Sequence, residues 1–365
     1  MTEVDVAVIG AGVVGCAIAL GAARRGAVVV VLEAESEPGL AASGTNSGIL
    51  HTGFDSVPGE LETEMILRSA ALRDPVLDAL GVPLLRCGAL LHDAPPQLAA
   101  TAARHGVEAT VRDDGALEVP GEAVTDPVRF TLGVAAAAER HGADIRTSAP
   151  AVAIEAGDGG LVVEEAGGDR IACRTVVNCA GLRADDVARL IGDDSFEVYP
   201  RKGEFLVFDP PADDAPDQIL LPVPTKRTKG MLVFPTVDGM VVAGPTAVDG
   251  SDKSDWSVRP EAHDEIVRSV TPIWPAAEGL EPVAAYAGLR PAGRGVNYVV
   301  GPSAVDPRLV NVAAIRSTGL TGSLGIAERV CSLLELGPER PLIAGAAPEL
   351  PEPWWRRTAR YRAAA

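Results

Sequence analysis

Residues 10–15 have the spacing of a turn that binds the phosphates of a dinucleotide. They read Gly-Ala-Gly-Val-Val-Gly, a G-x-G-x-x-G pattern, and Glu33 follows at the end of the next apolar run. In this pattern Gly10 permits the tight turn, Gly12 lets a pyrophosphate approach the backbone, and Gly15 lets a helix pack closely on a strand. Glu33 would accept hydrogen bonds from ribose hydroxyls, which disfavours the 2′-phosphate of NADP. The pattern therefore predicts a site for NAD or FAD.

The loop that follows Glu33 favours FAD over NAD. Residues 43–53 read Ser-Gly-Thr-Asn-Ser-Gly-Ile-Leu-His-Thr-Gly. A simple NAD dehydrogenase has no obvious use for a long loop of small residues at this point, whereas flavoproteins wrap such a loop around the flavin. The sequence has no second G-x-G-x-x-G, so we expect no separate nicotinamide domain. No cysteine lies in an evident attachment motif, which favours non-covalent FAD.

The elements around the glycine turn predict a Rossmann-type β-α-β unit. Residues 4–9 read as an apolar strand and residues 27–32 as a second one. Between them, an Ala-rich helix begins at Val13, and its first amides would donate to the pyrophosphate. Continuous apolar strands of this kind are typical of a parallel sheet that is covered on both faces.

Elements further along the chain are predicted from periodicity, caps and turns. Asp126 has the position of a helix N-cap, with Pro127 at the first helical position. Asp238-Gly239 is a two-residue hairpin turn between two apolar runs. The remaining patterns predict helices over 61–80, 127–141 and 323–336, a hairpin with strands 161–165 and 170–177, and strands at 203–208 and 309–314.

The order of these elements predicts an α/β fold: a Rossmann-type FAD-binding domain with an inserted α+β substrate domain built on a mixed or antiparallel sheet. The FAD-binding domain is expected to be discontinuous, with residues 1–80, 126–196 and 299–345. The substrate domain would consist of residues 81–125 and 197–298. Residues 346–365 are predicted to form a peripheral tail on the surface, with a membrane-surface contact as the alternative.

Composition narrows the class of protein. The net charge is −18 and the isoelectric point is near 4.7, which disfavours binding to nucleic acid and requires a local basic pocket for any anionic substrate. The five cysteines form no C-x-x-C pair and the five histidines are scattered, so no metal site is expected. No apolar run reaches the roughly 18–20 residues of a transmembrane segment. With no signal pattern at the amino terminus, we expect a cytoplasmic protein.

Seven stretches of the chain together resemble one group of flavoproteins. The sequence resembles the D-amino-acid-oxidase-like superfamily of FAD oxidoreductases. Within it, the sequence is most similar to the branch that holds L-2-hydroxyglutarate oxidases and glycerol-3-phosphate dehydrogenase-like proteins. The stretches occur in the expected order: residues 10–15, 43–53, 175–181, 201–205, 222–226 with 244–246, 288–291, and 316–322.

The resemblance implies where FAD is contacted. The residues expected along the cofactor come from the loop after Glu33 and from one later turn: Ser43, Asn46, Ser47, Gly48, Ala180 and Gly181. A second turn would place the amino terminus of a helix beside the pyrimidine edge of the flavin, and it contains Gly319, Leu320 and Thr321. His51 would lie near the isoalloxazine.

Oxidation of an alcohol on a flavin needs a C–H aimed at N5, a base for the hydroxyl proton, and positive potential at the N1–C2=O edge. His51 is the candidate base, because imidazole titrates near neutrality. Arg290 is the candidate anion clamp, since its planar fork binds a carboxylate or phosphate through two hydrogen bonds. Lys202 is a third candidate that would reach flavin or substrate. Lys226 and Arg227 could hold a distal phosphate or carboxylate.

The sequence thus predicts FAD-dependent oxidation of a secondary alcohol in a small anionic substrate. The substrate would be a 2-hydroxy acid or polyol phosphate such as L-2-hydroxyglutarate or glycerol 3-phosphate. Two alternatives stay open: an amine or amino-acid oxidase, which shares the fold and cofactor, and a non-catalytic flavin-binding protein. The electron acceptor is also open, because oxygen, a quinone and a carrier protein would all fit.

Overall fold

An eight-stranded sheet contains the parallel strands that the glycine turn follows. The structure is a computed structural model that describes residues 2–92, 94–157, 159–223 and 230–363. Its eight-stranded sheet is formed by β1 (Thr2–Ile9), β2 (Val29–Leu32), β9 (Asp144–Arg146), β10 (Ala151–Gly157), β11 (Gly160–Glu165), β12 (Arg170–Asn178), β19 (Val299–Pro302) and β20 (Leu309–Ala313). β1 pairs in parallel with β2 and β12, and β20 pairs in parallel with β12. The carboxyl ends of these parallel strands therefore meet at one edge.

The second sheet is mixed and mainly antiparallel. Nine strands form it: β5 (Ala89–Leu91), β6 (Thr110–Val111), β7 (Leu117–Val119), β13 (Val198–Phe208), β14 (Ile219–Leu221), β15 (Leu232–Pro235), β16 (Val241–Gly244), β17 (Val248–Asp249) and β18 (Ala284–Gly293). Its longest pairing joins β13 and β18, antiparallel over ten residue pairs. β14 and β5 pair in parallel, which makes the sheet mixed.

A small third sheet links segments that are far apart in the chain. It consists of β3 (Ile49–Leu50), β4 (Leu84–Leu85) and β8 (Ala123–Thr125). Because β3 pairs with β8, the loop after Glu33 is tied to residues more than seventy positions later.

Helices pack against both of the larger sheets. The α-helices of the described residues are α1 (Val13–Ala23), α2 (Leu61–Ala79), α3 (Pro96–Arg104), α4 (Pro127–Arg140), α5 (Ala184–Arg189), α6 (Ala262–Val270), α7 (Gly319–Leu333) and α8 (Trp354–Ala363). Short 3₁₀ turns occur at Gly181–Arg183, Ala212–Asp214 and Pro275–Gly279. Nearly every residue of α1 is buried, because it packs against both α4 and α7. Its alanines and glycines permit this close approach on several sides.

The expected α/β fold with a Rossmann-type unit and a mixed sheet is confirmed. All strands of the parallel sheet fall in the three segments assigned to the FAD-binding domain, and all strands of the mixed sheet fall in the two substrate segments. The domain boundaries themselves stay a prediction. Asp126 caps α4 as expected, since its Oδ1 accepts hydrogen bonds from the amides of Val128 and Arg129, both at 2.9 Å. Among the described residues, no helix is both long and apolar enough to cross a bilayer.

Three elements differ from expectation. β13 begins at Val198 rather than at residue 203, because its pairing with β18 extends through Pro200. α7 begins at Gly319 rather than at residue 323, so the predicted turn is already the first helical turn. The expected peripheral tail is instead an anchored helix, since Trp354 and Trp355 are only 1% and 3% exposed.

Candidate active site

The glycine turn has the geometry that its sequence predicts. β1 ends at Ile9, and Gly10 follows with φ of +102°, a conformation that side chains rarely adopt. A Cβ atom on Gly10 would lie 2.5 Å from the carbonyl oxygen of Cys179, and one on Gly15 would collide with the carbonyl of Gly10. Gly12 and the first residues of α1 line a cavity, as a phosphate site requires, and the amide of Val13 donates to Ser43 Oγ at 3.0 Å.

Glu33 ends β2 beside this turn. Its Oε2 accepts a hydrogen bond from the amide of Ala11 at 2.6 Å, and its Oε1 accepts one from the amide of Glu35 at 2.9 Å. Burial raises the pKa of Glu33, although these backbone hydrogen bonds oppose the shift. The carboxylate is thus held in a fixed position at the cavity wall, where ribose hydroxyls could reach its remaining lone pairs.

An elongated cavity of about 640 Å³ extends from Glu33 to the amino terminus of α7. Eleven of the residues expected at the cofactor line it: Gly10, Gly12, Val13, Gly15, Glu33, Ser43, Asn46, Ala180, Gly181, Gly319 and Leu320. Ser47 lines a second cavity instead. Gly48 and Thr321 line neither. They hold the loop in place, because Gly48 accepts from the amide of Thr125 and Thr321 Oγ1 accepts from the amide of His51.

The second cavity, of about 250 Å³, lies between the loop after Glu33 and the mixed sheet. Ala42, Asn46 and Arg316 line both cavities, so the two spaces meet at these residues. The second cavity also holds His51 and two more arginines, Arg201 and Arg290. Three acids, Asp55, Glu60 and Glu62, line the same cavity, so its use as an anion site depends on which arginines are left without an acidic partner.

A buried carboxylate orients His51. Its Nδ1 lies 2.8 Å from Oε2 of Glu122, whose side chain is fully buried. The other oxygen, Oε1, accepts hydrogen bonds from the amide and hydroxyl of Thr52 at 2.6 and 2.8 Å. Because Nδ1 is hydrogen-bonded to Glu122, the other ring nitrogen, Nε2, is the one that can interact with a substrate in the cavity.

Backbone carbonyls hold Arg290. Its Nε donates to the carbonyl of Arg201 at 3.1 Å, and its Nη2 donates to the carbonyls of Lys202 and Thr246 at 3.0 and 2.7 Å. Burial lowers the pKa of Arg290 to about 10, and the neighbouring charge of Arg201 adds to this effect. No carboxylate of the described residues forms an ion pair with Arg290. The side chain therefore stays cationic at neutral pH and has no direct ion pair among the described residues, although the nearby charge of Asp249 partly offsets the fall in its pKa.

The other two arginines of the cavity are already paired. Arg201 forms a two-point ion pair with Asp249, at 2.5 and 3.2 Å. Arg316 Nη2 lies 2.7 Å from Oε2 of Glu62. They are therefore expected to contribute less than Arg290 to the binding of an anionic substrate.

The structure does not bring Lys202 into either cavity, which corrects the expectation that it reaches flavin or substrate. Its Nζ donates to Oδ2 of Asp255 at 2.7 Å and to the carbonyl of Ser257 at 2.8 Å. The ammonium holds the pKa of Asp255 down at about 2. Trp256, between these two partners, lines the larger cavity. Lys202 thus positions a wall of the cofactor cavity. Lys226 and Arg227 lie outside the described residues.

Sequence reasoning missed Glu122 and the roles of Arg201 and Arg316. The only signal for Glu122 is that it is one of two acids, with Glu118, in an otherwise apolar and small stretch, residues 116–124. Arg316 is the first residue of one of the stretches on which the family resemblance rests, but an arginine at this position did not by itself indicate a role.

Taken together, the glycine turn, the fixed acid and the joined cavities define a dinucleotide-dependent oxidoreductase, because the larger space suits a dinucleotide and the second space suits a reacting substrate. The sequence matches the family described as "FAD dependent oxidoreductase" (DAO) over residues 5–333. The chain therefore belongs to this family of FAD-dependent enzymes, and its cofactor is FAD.

Curated relatives and solved structures agree with this assignment. Glycerol 3-phosphate dehydrogenase of Caloramator mitchellensis is 29% identical over 357 residues, which cover 91% of this chain and 74% of that protein. L-2-hydroxyglutarate dehydrogenase of Escherichia coli K12 is 24% identical over 69% of this chain and 67% of its own length. The solved structure of L-α-glycerophosphate oxidase from Mycoplasma pneumoniae superposes with a TM-score of 0.87 at 24% identity, covering 96% of this chain and all of that one.

Proposed function

We propose that this enzyme oxidises the secondary alcohol of a small anionic substrate, a 2-hydroxy acid or a polyol phosphate such as L-2-hydroxyglutarate or glycerol 3-phosphate. The observation that carries the proposal is the half-buried cation of Arg290, which forms no ion pair with a carboxylate among the described residues and shares a cavity with His51. An anion in this cavity would form that direct ion pair.

The way Arg290 is held supports a role in binding. Three backbone carbonyls occupy Nε and Nη2, so the guanidinium cannot rotate freely and Nη1 has no partner among the described residues. A fixed donor loses little entropy when it binds, and a charge-assisted hydrogen bond is roughly twice as strong as a neutral one. The substrate anion would therefore be oriented as well as bound.

His51 supplies the base in this proposal. Its Nε2 would accept the hydroxyl proton of the substrate, while Glu122 would hold the ring and stabilise the imidazolium that results. Bound FAD supplies the hydride acceptor for the substrate C–H. The amino terminus of α7 lines the cofactor cavity through Gly319 and Leu320 and directs its positive dipole end there.

The relatives are consistent with this substrate class. The names of the similar proteins give glycerol 3-phosphate and L-2-hydroxyglutarate as substrates. Both are anions with a secondary hydroxyl group, although one carries a phosphate and the other two carboxylates. We propose the class they share rather than either compound.

A second candidate is oxidation of an amine or amino acid. Glu60 lines the same cavity as Arg290, and its carboxylate would suit a substrate ammonium. Solved structures with the same fold include glycine oxidase from Geobacillus kaustophilus, with a TM-score of 0.78 at 22% identity.

Anaerobic reduction of the purified holoenzyme separates these candidates. The panel would contain glycerol 3-phosphate, L- and D-2-hydroxyglutarate, L-lactate, glycine and L-proline, and the measurement is bleaching of the flavin absorbance. We expect an anionic alcohol to bleach the flavin. Bleaching by amines alone would establish the second candidate, and no bleaching by any compound would favour a non-catalytic flavoprotein. Adding oxygen or a quinone to the bleached enzyme would then identify the electron acceptor.

A further inference from the structure

Helix α8 contributes a side chain to the cavity that FAD occupies. We propose that Tyr361, on this helix, is part of the FAD site and binds the adenosine half of the cofactor. The inference rests on the assignment of FAD and adds a contact from a segment more than three hundred residues away from the glycine turn. The sequence alone predicted only a surface tail there.

The position of Tyr361 in the cavity identifies the half of FAD that it would meet. Tyr361 lines the larger cavity together with Glu33 and Glu35. An acid at the end of the second Rossmann strand marks the ribose of the adenosine. The opposite end of this cavity is marked by Asn46 and Arg316, where the substrate cavity begins. Tyr361 therefore lies at the adenosine end.

Tyr361 is connected to the ribose-binding carboxylate through one residue. Its hydroxyl donates to Oε2 of Glu35 at 2.9 Å, and the amide of Glu35 donates to Oε1 of Glu33 at 2.9 Å. The hydroxyl bond holds the side chain at the cavity wall, where a bound nucleobase would meet it. Pro150 and Ala151 also line this end and supply further apolar surface.

The helix that carries Tyr361 is firmly anchored. Trp354 is 1% exposed and packs edge-on against the ring of Tyr286, at 5.7 Å between centroids. The indole of Trp355 donates to Oδ2 of Asp238 at 2.8 Å. These contacts fix the first turn of α8 in the core beneath the mixed sheet.

The same helix also forms side-chain contacts with the loop that lines the cavity. Thr358 Oγ1 donates to the carbonyl of Gly44 at 2.7 Å, and Arg357 pairs with Glu37 at 2.7 Å. Residues 39–43 of this loop line the cofactor cavity. Helix α8 thus holds the loop from outside while Tyr361 reaches the cavity itself.

The test compares ligands that contain different halves of FAD. Apoprotein would be titrated with FAD, with ADP and with FMN, for the wild type, Tyr361→Ala, Tyr361→Phe and Arg360→Ala. Arg360 is the matched control because its side chain lies on the same helix, is 73% exposed and pairs with Glu352. Circular dichroism of each apoprotein would check that α8 remains folded.

We expect Tyr361→Ala to weaken the binding of FAD and the binding of ADP by about the same factor, roughly tenfold, because one aromatic contact to a base is lost. FMN affinity should not change, because FMN lacks the adenosine. Tyr361→Phe should retain most of the affinity, and Arg360→Ala all of it.

Two results would overturn the inference alone: equal FAD affinity in wild type and Tyr361→Ala, or an equal loss for ADP and FMN. The latter would mean that the substitution acts through general loosening of the fold. A wild-type protein that bound no FAD would instead overturn the proposed function, and this inference with it.

Discussion

His51 and Glu122 form a hydrogen-bonded pair, with 2.8 Å between Nδ1 and Oε2. The pair spans 71 residues of sequence and brings a loop next to the cofactor cavity together with the turn between β7 and β8. Since the amide and the hydroxyl of Thr52 both donate to the other carboxylate oxygen, Glu122 has little freedom to move. A base that is oriented in this way needs no reorganisation before it accepts a proton.

Glu122→Gln tests the orienting role of this carboxylate. The substitution keeps the size of the side chain but removes its charge, so the imidazole is less well oriented and its protonated form loses stabilisation. We expect kcat to fall on the order of 10- to 100-fold with FAD affinity retained, less than the roughly 10²–10⁴-fold expected for loss of the base itself, because Glu122 only orients His51. Steady-state kinetics and FAD titration measure the two quantities. Glu64→Gln, at an exposed position on α2, is the control and should leave both unchanged. Equal kcat in the two variants would contradict the role of Glu122.

Arg290→Met tests the anion clamp. Loss of a charge-assisted hydrogen bond in a buried site costs on the order of 1.5–3 kcal/mol, so we expect kcat/KM to fall about 10- to 100-fold. The loss should appear mainly in KM and in the affinity for unreactive anions, measured by perturbation of the flavin spectrum.

Arg294→Met is the matched control for Arg290. Arg294 follows the same strand, pairs with Glu197 and is 60% exposed. Arg290→Lys keeps the charge but loses the planar fork, and should give an intermediate loss. If the variants at 290 and 294 bound anions equally well, the clamp would lie elsewhere.

Gly12→Ala tests the cofactor cavity with only one tight contact inside the protein. Gly12 has φ of −69°, which alanine adopts readily, and its added Cβ would lie 3.2 Å from Ser43 Oγ, which a small shift of that side chain relieves. The methyl group would, however, project where the pyrophosphate must approach. We expect apoprotein of normal thermal stability with FAD affinity reduced about 100-fold or more, since a close backbone approach is lost. Thermal denaturation and FAD titration check the two halves of this prediction. Unchanged FAD affinity would place the pyrophosphate away from this turn.

The pKa of Asp126 predicts how the stability of the fold depends on pH. Burial raises the pKa of Asp126 to about 6, above the value of about 3.9 for an unfolded chain. The folded protein therefore binds this proton more tightly. The stability that Asp126 contributes is fully present below about pH 4 and is lost as the pH rises through about 6.

Asp126→Asn removes this titration and keeps an oxygen that can cap α4. Relative to wild type, the variant should gain about 1 kcal/mol between pH 5 and pH 8. Denaturant unfolding at the two pH values measures the difference. A wild-type-to-variant difference that did not depend on pH would show that Asp126 titrates normally.

The parts of the fold that sequence reasoning predicted are those set by local rules. The glycine turn at residues 10–15 requires particular backbone angles, and the cap at Asp126 requires a short acceptor beside Pro127. Alternating or continuous apolar runs located several strands of the FAD-binding domain, including β12 and β20. Each of these signals is contained within a few neighbouring residues.

The parts that could not be predicted depend on contacts between distant segments. Glu122 acquires its role only because β3 pairs with β8, which brings it to His51. The sequence around Lys202 does not show whether its ammonium faces a substrate or Asp255. The path of residues 252–257 determines which of the two it meets. Trp354 and Trp355 resemble surface anchors in sequence, but the mixed sheet offers them a core position.

The central claim is that His51 accepts the substrate proton while an anionic alcohol is oxidised. The most direct measurement is the anaerobic rate of flavin reduction, followed by stopped-flow absorbance, in wild type and His51→Gln at saturating concentrations of the alcohol that reduces the enzyme. The account predicts a rate at least about 100-fold lower in the variant, with FAD still bound, because a positioned base contributes that much or more. Rates that agreed within a factor of two would contradict it.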